Sequence, residues 1–149
     1  MKSVPEETET VQSSLQAYIT LLRASDTVSA KVGRSLLEHK LTLSQFGVME
    51  ALYHLGPLCQ KQIGQKILKS ASNLTTVIRN LQRDGFIKST RENKDKRYLT
   101  ICLTPKGKKL MEEILPGHFT EIDKCMSALN CDERKHLNSL CKKLGLSNL

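Results

Sequence analysis

Apolar residues recur at three- and four-residue steps from Val11 through Leu15, Tyr18, Ile19, Leu22, Val28 and Val32 to Leu36. That is the spacing of one helix face, and it predicts a long helix over residues 11–38, weakened locally by Gly33. A second helix opens at Thr42, where Thr42 and Gln45 have the spacing of a capping box and Leu41 and Phe46 stand at the staple positions around it. Its stripe continues through Met49, Leu52 and Tyr53 and stops at Gly56-Pro57. A short helix over 60–68, with Ile63, Ile67 and Leu68 inward, is joined by Lys69-Ser70-Ala71 to another over 71–84. Ser70 is suited to cap that helix, Leu74, Val77, Ile78 and Leu81 face a core, and Gly85 ends it.

The period then changes from that of a helix to that of a strand. Segments 86–91 and 98–103 flank the polar run 92–97, which predicts a hairpin with a charged tip. Thr104-Pro105 opens the next helix, Thr as cap and Pro where its missing N–H costs nothing. Its face is Leu110, Met111, Ile114, Leu115, Phe119, Ile122 and Met126, and Pro116 and Gly117 inside it are expected to kink or split it. Asn130 and Glu133 form a second capping-box pair, starting a last helix that runs to Gly145 with Leu137, Leu140 and Leu144 apolar. The order α-α-α-α-β-β-α-α reads as one mainly α domain over 1–149 with a small β-hairpin wing. A winged helix-turn-helix at 41–107 is flanked by helices at 11–38 and 108–146. These terminal helices carry more apolar positions than so small a lobe can bury, which points to dimerisation.

Composition narrows the class. The chain has 149 residues, 39% hydrophobic and 26% charged, as a globular domain does. No stretch approaches the roughly 20 apolar residues of a membrane span. Residues 1–10 are acidic and polar, with no apolar core of a secretory signal. The five cysteines, Cys59, Cys102, Cys125, Cys131 and Cys141, are odd in number and form no CxxC, which fits reduced thiols in a cytoplasm. Cys125, Cys131, His136 and Cys141 are spaced by six, five and five residues, so no two share a helix face and no metal site is expected. His39, His54 and His118 read as surface or capping residues. No GxSxG, HExxH or P-loop is present, so neither an enzyme nor a cofactor is expected.

Charge changes the picture more. The net charge is +8, yet residues 60–110 hold 13 basic and 3 acidic side chains while each flank is −1. A basic block confined to one segment is the footprint of a polyanion partner, because each neutralised phosphate releases condensed counterions. At about 100° per residue, the helix at 71–84 puts Ser72, Thr76, Arg79 and Arg83 opposite its apolar side, with Asn73 and Asn80 on one shoulder and Thr75 on the other. No acid precedes Asp84 on this face. Short hydrogen-bonding side chains and arginines can reach phosphates and base edges in a major groove. Lys94, Lys96 and Arg97 at the hairpin tip suit a minor groove, and Asp95 is placed to orient a neighbouring guanidinium. The candidate double-stranded-DNA contacts are therefore Ser70, Ser72, Asn73, Thr75, Thr76, Arg79, Asn80, Arg83, Lys94, Lys96 and Arg97, with Asp95 supporting the wing.

Four ordered stretches, LTLSQFGVMEAL, GPLCQKQIGQKIL, SNLTTVIRNLQRDGFI and NKDKRYLTICLTPKG, resemble a MarR-family transcription regulator over about residues 11–146. The resemblance implies a homodimer joined by the first and last two helices. It also implies a palindromic operator and relief of repression by a small ligand or an oxidant. By position it makes 71–84 the recognition helix, Arg97 the minor-groove arginine of the wing and Asp95 the acid that steadies it. A ligand-gated member would take a small aromatic or anionic effector between the reader and the dimer helices. Cys59 stands where the family usually has a Ser or Thr capping the third helix, and a helix N-terminus beside Lys61 would favour its thiolate. Redox-sensing members usually carry their cysteine in the first helix, where this chain has none.

Two rival readings remain. A winged helix used only as a protein-interaction module would bind independently of salt and leave duplex DNA unretarded; the acid-free face speaks against it. A thiol enzyme centred on Cys59 would turn over a peroxide or disulfide, but no histidine or acid is positioned in sequence to support it.

Overall fold

The computed structural model describes residues 6–67, 71–91 and 99–148. Six helices and three strands follow in the order α1 (Glu6–Leu37), α2 (Leu43–Leu55), β1 (Leu58–Cys59), α3 (Gln60–Ile67), α4 (Ala71–Arg83), β2 (Ile87–Thr90), β3 (Thr100–Leu103), α5 (Pro105–Met126) and α6 (Cys131–Leu146). The mainly α winged-helix class is as expected. The first helix begins earlier than the apolar periodicity does, at Glu6. The connector residues 69 and 70, with Leu68, and the hairpin tip 92–97 with Tyr98 lie outside the described residues.

Local chemistry sets the element ends. Gln45 N–H donates to Thr42 Oγ1 at 3.1 Å and Thr42 N–H to Gln45 Oε1 at 2.9 Å, closing the capping box of α2. Gly56 ends that helix at φ 77°, a left-handed conformation that a Cβ would strain. Thr104 caps α5 by accepting from Gly107 N–H at 3.1 Å. Asn130 and Glu133 close the box of α6 at 2.8 and 2.9 Å.

A third strand corrects the two-strand expectation. β1 pairs antiparallel with β3, Leu58 opposite Ile101 and Cys59 opposite Thr100. β2 pairs with the other edge of β3, from Ile87 opposite Leu103 to Thr90 opposite Thr100. The sheet order is thus β1-β3-β2. β1 pulls the start of α3 against the base of the wing.

Of the kink or split expected at Pro116 and Gly117, the split does not occur: α5 runs unbroken over 22 residues. Pro116 removes the N–H that Glu112 C=O would accept. Both residues are exposed, so that carbonyl can turn to water and the cost stays small. Thr120 Oγ1 donates to the Pro116 carbonyl at 3.0 Å and holds the next turn.

The core gathers Leu36 from α1, Phe46, Val48, Met49 and Leu52 from α2, and Ile63 from α3. It continues with Leu74, Ile78 and Leu81 from α4, Ile87 and Ile101 from the sheet, and Met111, Ile114 and Leu115 from α5. Each such side chain contributes about 1.5–3 kcal/mol by leaving water. The ends of the chain differ. Val11, Leu15, Tyr18 and Leu22 on α1 are exposed, as are Phe119 on α5 and Leu137, Leu140 and Leu144 on α6, and α6 has no buried residue. No helix among the described residues is long and apolar enough to cross a membrane.

Candidate nucleic-acid interface

Helix α4 is seated by its apolar side. Leu74, Ile78 and Leu81 are buried and Val77 is half-buried. The opposite side presents Asn73, Thr76, Arg79 and Arg83 exposed, with Asn80 half-buried on the shoulder. Gly64 brings α3 close: a Cβ there would stand 3.3 Å from Leu74 Cδ2. Gln60 Nε2 donates to Thr75 Oγ1 at 2.9 Å, so Thr75 ties the start of α3 to α4. Ser70, Lys94, Asp95, Lys96 and Arg97 lie outside the described residues, and the side chain of Ser72 is likewise not described. The sheet nonetheless fixes where the wing leaves the domain, at Thr90 and Thr100.

Arg83 and Arg79 differ electrostatically. Arg83 Nε donates to Asp84 Oδ1 at 2.9 Å on the surface. That hydrogen bond, against slight desolvation, holds the Asp84 carboxyl below the usual carboxylate range, with the charges of Arg83 and Lys106 adding to it. The pair is exposed and worth little to stability, but it restricts where the Arg83 guanidinium can point. Arg79 has no acidic partner among the described residues.

The turn after α4 is held by the start of α5. Thr104 Oγ1 donates to Gly85 C=O at 2.6 Å and Thr104 N–H to Phe86 C=O at 3.0 Å. Lys106 Nζ donates to Asp84 C=O at 2.8 Å and sits 4.7 Å from the centroid of the Phe86 ring. A Cβ on Gly107 would stand 2.1 Å from Phe86 O, so only glycine permits this approach. Gln82 Nε2 donates to Ser89 Oγ and ties the last turn of α4 to β2.

Cys59 is half-buried at the end of β1. Its N–H donates to Gln62 Oε1 at 2.9 Å, so Gln62 supplies the cap at the start of α3. Cys131 is exposed at the first turn of α6.

His118 is not a surface histidine, contrary to the sequence expectation. It is 5% exposed and lies beside Phe46 with ring centroids 4.1 Å apart. Its Nδ1 is buried without a hydrogen-bond partner. Burial pushes its pKa down, and the charge of Glu50 offsets this in part. His118 walls two cavities. One, of about 600 Å³ between α2, α3 and α5, is lined by Leu43, Phe46, Glu50, His54, Leu55, Lys66 and Ile67 among others. The other, of about 520 Å³ between α1 and α5, is lined by Lys31, Arg34, Glu38, His39, Glu113 and Glu121. The missed signal was its spacing: His118 follows Ile114 by four residues and Leu115 by three, on the apolar stripe of α5.

Residues 31–114 match the model of the SarA/Rot family of transcriptional regulators. The chain is 36% identical to the uncharacterized HTH-type transcriptional regulator YkoM of Bacillus subtilis (strain 168), over 93% of this chain and 90% of that one. Among solved structures it is similar to AbsC, a MarR family transcriptional regulator from Streptomyces coelicolor. The TM-score is 0.81 at 15% identity, over 99% and 97% of the two chains, a likeness of fold. It resembles reduced AbfR bound to DNA with a TM-score of 0.76 and 26% identity, over 96% and 99%. It also resembles BpsR of Bordetella bronchiseptica, whose DNA binding is regulated by 6-hydroxynicotinic acid, with a TM-score of 0.79 and 25% identity, over 87% and 98%. By family match and sequence relatives this chain belongs to the SarA/Rot family of transcriptional regulators, DNA-binding proteins rather than enzymes, and its fold is the winged helix-turn-helix that it shares with the MarR family regulator AbsC.

Proposed function

We propose that the protein is a homodimeric, cytoplasmic repressor that binds a pseudo-palindromic operator, with residues 41–107 as the DNA-binding lobe and 11–38 and 108–146 as dimerisation helices. The observation that carries the reading is the contrast between the two parts. The reader helix is seated in a finished core, while the apolar rows of α1 and α6 stand in water. Contiguous apolar rows of that kind are the mark of a protein interface. One reader and one wing cover a half-site, and two copies about one helical turn apart, roughly 34 Å, read a palindrome. In this reading Ser72, Asn73, Thr76, Arg79 and Asn80 read bases, and Ser70, Thr75, Arg83, Lys94 and Lys96 meet the backbone. Arg97 enters the minor groove and Asp95 steadies it.

Release is assigned to a small aromatic or anionic effector in the cavity beside His118. Leu43, Leu55 and Ile67 give that cavity an apolar wall, and Lys66 and His54 also stand on it. Cys59, beside the wing strand, is the residue through which an oxidant would act instead. Selection of bound duplexes from a random pool tests the whole, combined with sedimentation of the free protein and its complex. Dimers that enrich a two-fold-symmetric site, with retention abolished at high salt, are expected. A monomer, or no enrichment in dilute buffer, would overturn it. Repeating the selection with peroxide, on the wild type and Cys59→Ser, separates oxidant from ligand release.

A further inference from the structure

Helix α5 joins two parts of the molecule that must keep a fixed geometry. Its first turn holds the turn after the reader, and its middle carries Met111, Ile114, Leu115 and His118 into the core against α1 and α2. Its second half leaves Phe119 and Ile122 exposed, on the side where the proposed dimer forms. At 1.5 Å per residue it is a beam of about 33 Å. A tilt of about 10° at one end of such a beam moves the other by roughly 6 Å, more than a base-pair step. The joint at its start therefore decides where the reader stands.

Lys106 makes that joint. Its ammonium donates to the carbonyl of Asp84, the first residue beyond α4. The carbonyls at a helix end lack partners within the helix, and this bond satisfies the one that directly follows α4 from another element. The same ammonium lies over the Phe86 ring, where the ring quadrupole attracts it. Three contacts of Thr104 and Gly107 converge on the same turn. Lys106 is exposed and belongs to the basic block, yet its ammonium is engaged along the surface by the backbone at the reader's end.

We propose that Lys106 is a positioning residue for DNA recognition: it locks the end of the reader helix onto α5 and so sets the spacing between the two readers of the dimer. This rests on the reading of the chain as a dimeric DNA-binding regulator with α4 as its reader. It goes beyond that reading in giving a lysine of the basic block a geometric role rather than a phosphate contact.

The experiment uses the full-length protein and the duplex it selects, together with duplexes whose half-sites are moved apart or together by one or two base pairs. Affinity is measured over a range of salt for the wild type, Lys106→Met and Lys106→Arg. Lys106→Met keeps the stem of the side chain and removes the charge. It is expected to lose about tenfold on the selected duplex but much less on the others, flattening the spacing profile. The salt slope should stay that of the wild type, and Lys106→Arg should restore both affinity and profile. Equal loss at every spacing, with the slope reduced by about one, makes Lys106 a phosphate contact and overturns the proposal. An unchanged profile overturns it as well. Should Lys106→Met fail to fold, Phe86→Leu, which removes the ring beneath the ammonium, is read in its place by the same criteria. A wild type that retains no duplex at all refutes the DNA-binding reading itself, a result distinct from any of these.

Discussion

The rings of His118 and Phe46 meet at 4.1 Å between centroids and 44° between planes, and they join the middle of α5 to the first turn of α2. The contact leaves the imidazole Nδ1 buried and unpartnered. A buried polar atom without a partner costs about 1–3 kcal/mol, and a positive charge at the same place costs more. The imidazole therefore holds its proton less readily than the ordinary value of 6.5, chiefly because burial penalises the charged form.

A pH dependence of stability follows. Around and below 6.5 the unfolded chain takes up a proton on His118 before the folded chain does, so unfolding binds protons and stability rises with pH. The part due to His118 is full above 6.5 and is lost as the pH falls through the unfolded value toward the lowered folded one. Thermal unfolding between pH 5 and 8 should show the wild-type Tm falling in acid more steeply than that of His118→Leu. Parallel curves for the two proteins would remove His118 as the cause.

Gly107 gives a second expectation. Any side chain there meets the Phe86 carbonyl, with a Cβ at 2.1 Å from the oxygen, and backbone rather than a flexible side chain must yield. Gly107→Ala is expected to destabilise by about 1–3 kcal/mol through forced displacement in a close-packed joint. Because the joint holds the reader, operator affinity should fall along with stability. Chemical denaturation and duplex retention measured on the same preparation check both. An unaltered midpoint would mean that α5 is not pinned against this turn.

How much of this could be read along the chain depends on the length over which a pattern repeats. The capping boxes of α2 and α6 and the four-position apolar side of α4 were legible, because each is a local rule satisfied by residues within one or two turns. β1 was not, since two residues have no period, and Leu58 and Cys59 become a strand only by pairing with Ile101 and Thr100. Pro116 reads as a kink or a split because the rule concerns a lost hydrogen bond. Whether that carbonyl faces water or protein is a tertiary fact. His118 was misread by residue type although its spacing placed it with Ile114 and Leu115. The exposed face of α4 was legible as a set of side chains, but not that Gln60 engages Thr75 or that Asp84 engages Arg83. The first pair depends on how α3 packs beside α4, and the second on the rotamers of two adjacent side chains.

The apolar rows at the two ends lead to a test of assembly. Tyr18 is 59% exposed and Leu140 59%, and neither supports the core. A charge at either position should leave the lobe at 41–107 folded but oppose any partner that covers the row, since an unpaired charge is costly to bury. Tyr18→Asp and Leu140→Asp are each expected to shift the protein to monomer in sedimentation velocity and to reduce operator affinity, with helical content largely retained. Unchanged sedimentation for both variants would place the partner elsewhere.

Arg79 and Arg97 separate reading from holding. Arg79 stands on the exposed side of the reader with no acidic partner among the described residues, free to turn its fork to a base. A bidentate contact to guanine discriminates by about 1–3 kcal/mol, so Arg79→Ala should lose preference at one operator position while binding to unrelated duplexes changes little. In the proposed reading Arg97 enters the minor groove, whose potential depends on groove width more than on base identity. Arg97→Ala should therefore weaken binding to most duplexes alike and lower the salt slope by about one. Competition binding against a panel of single-base operator variants measures both. If the two substitutions give equal losses that ignore sequence, α4 does not read bases through Arg79, and the division of labour between helix and wing fails.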